Sequence, residues 1–372
     1  MGNEKFRIKN TEYSPKKALI IAELGTSHGT DLTKARELIA AAAEAGADCV
    51  KFQIVYANEI LHPNTGEVAL PGGNIRLYDR FKELETDPSF YAQMKEEVEK
   101  RGLLFLCTPF GLQSARELKR LDPFFIKIAS PELNHTPLLK EIASYGLPVL
   151  LSTGVSKLGD IEEAVEILRG GKNKANLCLL HCVTSYPAPE TDYNLRVLQS
   201  LSSVFGLPVG VSDHSMDPEM VPVLAVSMGA SVIEKHFCLS RDDPGLDDPI
   251  ALPPEGFKAM VKAVREASAL GPQKTLEAKS ETWGGEKVQA ILGDGIKRLA
   301  PSENANYTRT NRSIHALRDI EEGEIITESM ISILRTEKIL RPGLPPSWEG
   351  YVIGNKARAF IPAGEGIRFD DI

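Results

Sequence analysis

Hydrophobic positions cluster in short runs over the first 270 residues, and helical patterns separate these runs. Several runs are apolar without alternation, which is typical of parallel strands that are covered on both faces. The segments between them repeat apolar residues with helical spacing, and two of these segments end at glycine: residues 32–46 at Gly46, and residues 160–171 at Gly170 and Gly171. The runs lie at residues 18–24, 49–54, 103–110, 124–130, 148–154, 176–183, 207–214 and 231–237.

Eight strand–helix units in a chain of this length predict a TIM (β/α)8 barrel. The alternative is a doubly wound open sheet, but that fold has fewer strands, and a glycine-rich phosphate turn usually follows its first strand. Here the first run continues into the sequence ELGTSH at residues 23–28. We therefore predict an α/β fold with the barrel in residues 1–270.

The rest of the chain divides into two parts. Residues 271–308 lose strand character and carry many charges, so we predict a helix-containing linker. Residues 309–372 are predicted to form a small β-rich domain, in which the pattern I-x-x-G-E-x-I occurs at Ile320 and again at Ile361. A later isoleucine follows each copy, which indicates a pseudo-symmetric fold with a turn at each Gly-Glu pair. Chance repetition is the alternative.

Composition and charge exclude several classes of protein. Hydrophobic residues make up 42% of the 372 residues and charged residues 25%, as in an ordinary soluble protein. Lys and Arg number 43 against 51 Asp and Glu, a net charge of −8 that is opposite to a nucleic-acid-binding surface. No apolar run reaches the roughly 18 residues of a membrane helix, and the start is too polar for a secretory signal. We expect a cytoplasmic protein that binds neither nucleic acid nor membrane.

The five cysteines do not predict a disulfide framework or a zinc site. They are an odd number, form no CxxC pair, and each lies in an apolar run. We interpret all five as small core residues.

Polar residues at the carboxyl ends of the strands are the functional candidates, because a TIM barrel has its active site there. Lys51 and Lys127 are the most informative, since a buried charge without a partner is costly. Strand periodicity places Lys51 and Gln53 on one face of their strand, and likewise Glu234 and His236 on one face of theirs. The candidates are Glu23, Lys51, Gln53, Thr108, Lys127, Ser130, Glu132, Ser152, Thr153, Gly154, His181, Thr184, Tyr186, Ser212, Asp213, His214, Glu234, Lys235 and His236.

Two lysines, several hydroxyl groups and free backbone amides at one barrel mouth indicate an anion site, most simply for a phosphate and a carboxylate. The alternative is an ion network of Lys51, Lys127 and Glu23 without chemistry. Ser152 and Thr153 also fit a helix-capping role.

His214 and His236 end adjacent strands and together form a candidate site for a divalent metal. Two nitrogen ligands leave positions for substrate and water, which suits a Lewis acid better than a structural ion. A lone histidine at a strand end is usually structural. His181 is interpreted as a buried residue behind the site.

The order of the motifs resembles the sialic acid (N-acetylneuraminate) synthase family, which includes pseudaminic and legionaminic acid synthases and spore-coat polysaccharide proteins. The motifs are IAELGTSHGT (21–30), AGADCVKFQ (45–53), FIKIASPELNH (125–135), LSTG (151–154), LLHCVTSYPAP (179–189), GVSDHS (210–215), and IEKHF with RDDPGLDD (233–248). The tail, with NRSIHALRDIEEGEIIT and LRPGLPP, resembles the antifreeze-like or SAF domain of these enzymes.

The resemblance implies a transferase that condenses phosphoenolpyruvate with an open-chain N-acetylated amino sugar such as N-acetylmannosamine. The products are a nine-carbon 2-keto acid and phosphate, which leaves by C–O cleavage. By motif, the phosphoenolpyruvate-binding residues are Lys51, Thr108, Lys127, Ser130, Ser152, Thr184 and Ser212. The catalytic residues are Glu132 as acid or base, Lys51, Lys127 and Glu23. His214 and His236 hold Mn²⁺, or Mg²⁺ or Co²⁺ in its place. Gln53, Tyr186, Asp247 and Arg335 face the sugar.

The resemblance also implies a domain-swapped homodimer, in which an arginine of the SAF domain enters the neighbouring subunit's active site. We align Arg335 with this arginine, and Arg341 is the alternative. Residues 62–81 depart from the family, because they replace the usual loop that helps to cover the sugar.

Two other functions remain as alternatives. A phosphoenolpyruvate-dependent synthase for a phosphorylated sugar needs a second cationic cluster, whereas the barrel loops are acidic at Asp242, Asp243, Asp247 and Asp248. A carbohydrate-binding protein without activity is less consistent with the retained Lys51, Glu132 and histidine pair.

Overall fold

The computed structural model describes residues 5–70, 73–170, 176–337 and 339–372. Within these ranges the strands are β1 (Phe6–Ile8), β2 (Thr11–Tyr13), β3 (Leu19–Gly25), β4 (Cys49–Ile54), β5 (Glu67–Leu70), β6 (Gly73–Arg76), β7 (Leu104–Pro109), β8 (Ile126–Ile128), β9 (Val149–Ser152), β10 (Leu177–Cys182), β11 (Val209–Asp213), β12 (Ala230–His236), β13 (Arg312–Ala316) and β14 (Ile331–Arg335). The helices are α1 (Leu32–Glu44), α2 (Ala57–Ile60), α3 (Leu77–Glu83), α4 (Pro88–Lys100), α5 (Leu112–Arg120), α6 (Thr136–Ser144), α7 (Leu158–Arg169), α8 (Val197–Phe205), α9 (Met220–Ser227), α10 (Pro254–Leu270), α11 (Pro272–Trp283), α12 (Gly285–Leu292) and α13 (Glu349–Val352).

The predicted barrel is confirmed. Its parallel strands are hydrogen-bonded in the order β7-β4-β3-β12-β11-β10-β9-β8, and the two end strands, β7 and β8, contact each other. Because all the strands run the same way, their carboxyl ends meet at one mouth. The polar residues that follow the strands therefore converge there.

The interior of the barrel is filled below the mouth. Cys49, Leu106 and Leu180, from three different strands, pack there in one apolar cluster. The hairpin of β1 and β2 adds Phe6 and Ile8 to the same cluster, so it closes the bottom of the barrel. The polar start of the chain gave no signal for this hairpin.

The helices cover the outside of the sheet and bury the larger of the apolar clusters. Helix α1 begins where the Asp31 side chain accepts a hydrogen bond from Thr33 N at 2.7 Å. The chain leaves this helix through Gly46, which has a φ of +91°, as the glycine pattern predicts. Helix α7 ends in the same region as predicted, with Gly170 at its C-cap, while Gly171 lies outside the described residues.

The segment predicted as a linker packs on the barrel. Helices α11 and α12 follow α10, and Val288, Ile291 and Leu292 of α12 join the main apolar cluster. The chain then runs across the barrel mouth to Arg312. The proposed boundaries at residues 270 and 308 stay a prediction.

The C-terminal domain has its own core, and the repeat predicted from the sequence is visible in it. Ile320 and Ile361 pair as an antiparallel bridge, with N–O distances of 3.0 and 2.9 Å. Gly323 and Gly364 have φ angles of +87° and +92°, which place both in left-handed turns. The two copies thus fold as equivalent halves around one apolar core.

None of the helices within the described ranges combines the length and the apolar character that a membrane span requires.

Candidate active site

A cavity opens at the carboxyl ends of the strands and contains most of the predicted site residues. The polar residues that line it are Glu23, Thr26, Lys51, Gln53, Lys127, Ser130, Ser152, Cys182, Tyr186, Ser212, His214, Glu234, His236, Asp247 and Arg335. Lys51 and Gln53 both reach it from β4, as the strand periodicity predicts. Glu234 and His236 do so from β12. Lys235, between them, points the other way and binds Asp213 at 2.6 Å.

An ion network forms the floor of the cavity. The amino group of Lys51 lies 3.2 Å from a Glu23 oxygen and 3.1 Å from a Glu234 oxygen, and that of Lys127 lies 3.4 Å from Glu234. All four side chains are buried. The network predicted as an alternative to a binding site therefore exists, and its members also line an open cavity.

Burial and pairing set the charges of this floor. Burial raises the pKa of Glu23 to about 7, although Lys51 acts against the shift. Burial opposes ionisation of Glu234 as well, but Lys127 and Lys51 outweigh it and lower the Glu234 pKa to about 2. The same carboxylates overcome burial at Lys51 and raise its pKa, whereas burial lowers the pKa of Lys127. The floor thus combines cationic lysines with one firmly ionised carboxylate.

Hydroxyl groups surround the lysines. Ser212 donates to Glu234 at 2.8 Å, and Ser130 accepts from Gly154 N at 3.0 Å. Within the described ranges, Ser152 Oγ and Thr108 Oγ1 are buried and have no hydrogen-bond partner. Buried hydroxyl groups are normally satisfied, so the Ser152 hydroxyl, which faces the cavity, points to a ligand.

The two candidate metal ligands lie side by side. The rings of His214 and His236 are 5.4 Å apart between centroids, and Tyr186 stacks on His214 at 4.3 Å. His214 Nδ1 lies 2.8 Å from the Val183 carbonyl oxygen and donates to it, which leaves Nε2 for a ligand. Burial lowers the pKa of His236 below its usual range, so this ring is neutral, as a metal ligand must be. Burial acts in the same direction at His214, but Cys182 outweighs it and raises the His214 pKa to about 9, so His214 would lose a proton on binding a metal.

The predicted metal ion would have two protein ligands, the ring nitrogens of His214 and His236. In the described part of the chain, no group of three or more His, Cys, Asp or Glu side chains is arranged to hold a metal. Asp247 Oδ2 lies 3.8 Å from His236 Nδ1 and is the nearest acidic side chain paired with either ring. An ion held here would keep most of its coordination positions for substrate and water.

Residues 38–275 match the NeuB family, and residues 311–372 match the SAF domain. The chain is 35% identical to the N,N'-diacetyllegionaminic acid synthase of Campylobacter jejuni over 325 residues, which cover 86% of this chain and 91% of the relative. It is 34% identical to a C. jejuni pseudaminic acid synthase, over 96% of this chain and 97% of the relative. The crystal structure of the Bacillus subtilis spore coat polysaccharide biosynthesis protein SpsE superposes with a TM-score of 0.82, at 33% identity and over 99% of each chain.

The chain belongs to the NeuB family. The predicted relationship to sialic acid synthases is thereby confirmed, and so is the prediction of an enzyme with a TIM barrel and a SAF domain.

In this NeuB family member, the SAF domain reaches the site through two arginines. Arg312 and Arg335 are paired across strands β13 and β14, and both bind Oε1 of Glu132, at 2.9 and 2.7 Å. Arg312 is fully buried and also donates to the Phe110 carbonyl oxygen at 2.7 Å. Arg335 lines the cavity, whereas Arg341 lies elsewhere and pairs with Asp371. The geometry therefore favours Arg335 over Arg341.

One placement differs from what the resemblance implied. Glu132 is buried and bound by Arg335, and it is not among the residues that line the cavity. In the single chain that this structure contains, Arg335 lines that chain's own cavity. Glu303 and Arg312, nine residues apart, are also bound to the same barrel. The domain-swapped homodimer stays a prediction.

The sequence did not predict that the segment around Glu303 binds the loops at the strand ends. Glu303 is buried and accepts hydrogen bonds from Thr184 N at 2.7 Å and from Val155 N at 2.8 Å. Thr184 itself lies next to the cavity, where its hydroxyl group and that of Ser130 fill the space that a side chain at Gly154 would need. Thr108 also lies outside the lining. The sequence pattern that predicts a linker over residues 271–308 does not indicate these contacts.

Proposed function

We propose that the protein condenses phosphoenolpyruvate with an N-acetylated amino sugar and releases phosphate. The observation that carries the proposal is the floor of Lys51 and Lys127 around Glu234, with an unpaired Ser152 hydroxyl beside it. Two buried cations and free hydroxyl groups match a ligand that carries both a phosphate and a carboxylate. The names of the related synthases support the same class of product.

In the proposed reaction, carbon 3 of phosphoenolpyruvate forms a bond to the aldehyde carbon of the sugar. Water adds its oxygen to carbon 2, the bond from carbon 2 to the phosphate oxygen breaks, and the aldehyde oxygen takes up a proton. The products are a nine-carbon 2-keto acid and phosphate. Lys51 and Lys127 would stabilise the negative charge of the phosphoenolpyruvate and of the departing phosphate.

The remaining lining residues have parts in the same proposal. His214 and His236 would hold a divalent metal, Mn²⁺ first and Mg²⁺ or Co²⁺ in its place, which when bound stabilises negative charge on the sugar oxygen. Glu23, with a pKa near neutrality and a hydrogen bond from Gln53 at 2.6 Å, is placed to exchange a proton at the cavity floor. Gln53, Tyr186, Asp247 and Arg335 would contact the sugar.

Phosphate release from phosphoenolpyruvate, measured with Mn²⁺ and a panel of amino sugars, tests the proposal. We expect release that requires both substrates and stops when a chelator is added. His236→Ala should abolish turnover while leaving the circular dichroism spectrum unchanged. Absence of release with every sugar by a folded, metal-supplied enzyme would contradict the proposed function, and release that survives chelation would contradict the metal assignment alone.

A further inference from the structure

A second cavity, of about 430 Å³, lies in the C-terminal domain. We call it the arginine cavity, because three separate segments of the chain each contribute an arginine to its lining: Arg309, Arg341 and Arg368. The other described residues that line it are Ile339, Leu340, Pro342, Pro362 and Glu365. The arginine cavity and the cavity at the barrel mouth share none of these lining residues.

Backbone carbonyl groups anchor two of the three guanidinium groups. Arg368 Nε donates to the Pro342 carbonyl oxygen at 3.2 Å, and Arg309 Nη1 donates to the Glu337 carbonyl oxygen at 2.8 Å. A guanidinium group carries five N–H donors in one rigid plane, so a bond from one nitrogen also orients the others. These contacts therefore fix the directions in which the arginine side chains present their donors.

Arg341 retains a donor that its own chain does not satisfy. Its Nη2 atom pairs with Asp371 at 2.5 Å, but within the described part of the chain its buried Nε has no hydrogen-bond partner. The nearest paired carboxylate oxygen, on Glu365, lies 3.9 Å from Nε, which is too long for a hydrogen bond. Buried polar groups are normally satisfied, so this donor points to a ligand of the arginine cavity.

The arginine cavity is cationic although the whole chain is acidic. The net charge of the chain is −8, whereas the described lining of the cavity has three arginines and one carboxylate, that of Glu365. If Asp371, which pairs with Arg341, is counted as well, three positive charges still face two negative ones. A local excess of positive charge on an acidic protein favours a bound anion.

Apolar side chains lie beside the arginines in the same cavity. Ile339 is 62% exposed, and Leu340, Pro342 and Pro362 line the cavity with it. A concave surface that combines apolar side chains with a few charged groups is typical of a small-molecule site. The volume of the cavity leaves room for a carbon skeleton next to the anionic group.

We propose that the arginine cavity binds the phosphate group of a small ligand, at a site additional to the one at the barrel mouth. Arginine binds phosphate and carboxylate groups through paired N–H donors. A carboxylate has two oxygens in one plane and suits a single guanidinium group, whereas a phosphate has enough oxygens for arginines from three segments. This proposal does not depend on the proposed function.

Isothermal titration calorimetry with inorganic phosphate, phenyl phosphate and acetate tests the proposal. The full chain carries Lys127→Met, so that the lysines at the barrel mouth contribute less to anion binding. We expect both phosphates to bind and acetate to bind about tenfold more weakly. Tighter binding of phenyl phosphate would support an organic phosphate as the ligand, and equal affinities would support inorganic phosphate. Acetate binding as tight as that of phosphate would overturn the proposal.

Two arginine variants in this background locate the site. Arg368→Gln should raise the Kd of the phosphate ligand about tenfold, because it removes a charged donor from the cavity lining. Arg358→Gln is the matched control: it removes the same charge from an exposed residue of the same domain that does not line the cavity, and Kd should not change. Equal weakening in the two folded variants would overturn the site, and so would the absence of phosphate binding by folded Lys127→Met protein.

Discussion

Lys51 and Lys127 both lie on the cavity floor, but Lys51 has more carboxylate neighbours than Lys127. Two carboxylates lie within 3.2 Å of Lys51, whereas Lys127 has only Glu234, at 3.4 Å. This difference explains why the pKa is raised at Lys51, where the carboxylates overcome burial, and is lowered by burial at Lys127. The two lysines should therefore contribute differently to stability.

We predict that Lys51→Met lowers the free energy of unfolding by about 3–5 kcal/mol, because it leaves the buried Glu23 carboxyl group without its cation. Lys127→Met should change it by less than about 1 kcal/mol, since Glu234 keeps Lys51 and Ser212. Urea denaturation of both variants measures the difference. Similar losses in the free energy of unfolding would contradict the inference that the two lysines differ in their ion pairs.

His181 gives the enzyme a sensitivity to acid that is unrelated to catalysis. Burial lowers its pKa to about 3, and its Nε2 donates to the Tyr193 carbonyl oxygen at 2.5 Å, away from the predicted ligands. The unfolded chain binds a proton at this histidine near pH 6.5, but the folded chain does not. The free energy of unfolding should thus fall as the pH falls from about 6.5 towards 3.

We expect this single histidine to contribute about 1.4 kcal/mol per pH unit to that fall. His181→Gln keeps a donor for Tyr193 and removes the titration, so the variant should lose less stability than the wild type between pH 6 and pH 4. Chemical denaturation at several pH values measures both slopes. Identical slopes would show that His181 is not held neutral.

At the scale of elements, hydrophobic patterns predicted the strands closely. The fifth run, for example, was predicted at residues 148–154 and forms β9 over Val149–Ser152. The spacing on β4 also placed Lys51 and Gln53 in the cavity together. These features follow from local periodicity, which the sequence displays directly.

Contacts made by the segment after α12 could not be predicted in this way. Glu303 looks like an ordinary surface residue in the sequence, and only the path of the chain across the mouth buries it between two strand-end loops. The sequence does not reveal the ion pair of Arg312 either, because its partner Glu132 lies 180 residues earlier. Long-range pairing of charged residues has no periodic signal.

Glu303→Ala should destabilise the protein by about 3 kcal/mol, since it leaves the buried Val155 and Thr184 amides unpaired. Val155 also has a φ of +42°, which is unfavourable for a branched residue without such support. KM for phosphoenolpyruvate should rise more than KM for the sugar. Glu303→Gln keeps an accepting oxygen and should restore much of both losses, as kinetics and thermal unfolding of the pair would reveal. Failure of glutamine to improve on alanine would contradict this role.

At the scale of the whole molecule, the arrangement of the two domains decides which chain completes a site. The resemblance predicted exchange between subunits of a homodimer, and the dimer itself stays a prediction. Glu303, Arg312 and Arg335 contact the barrel of the single chain that this structure contains, so exchange between subunits has to be tested in solution.

Co-expression of Lys127→Met with Arg335→Ala distinguishes the two arrangements, with each variant alone as the control. If each chain completes its own site, mixed dimers contain no intact site, and we expect no activity beyond the sum of the controls at low sugar concentration. Exchange of SAF domains would create one intact site in each mixed dimer and restore about a quarter of the wild-type activity.

The hairpin that closes the barrel has a kinetic consequence. With Phe6 and Ile8 packed into the apolar interior, the hairpin closes the end of the barrel opposite the cavity, beneath the charged floor. Under the proposed function, we predict an ordered reaction: phosphoenolpyruvate on the lysines would bind before the sugar that covers it, and phosphate would leave after the keto acid.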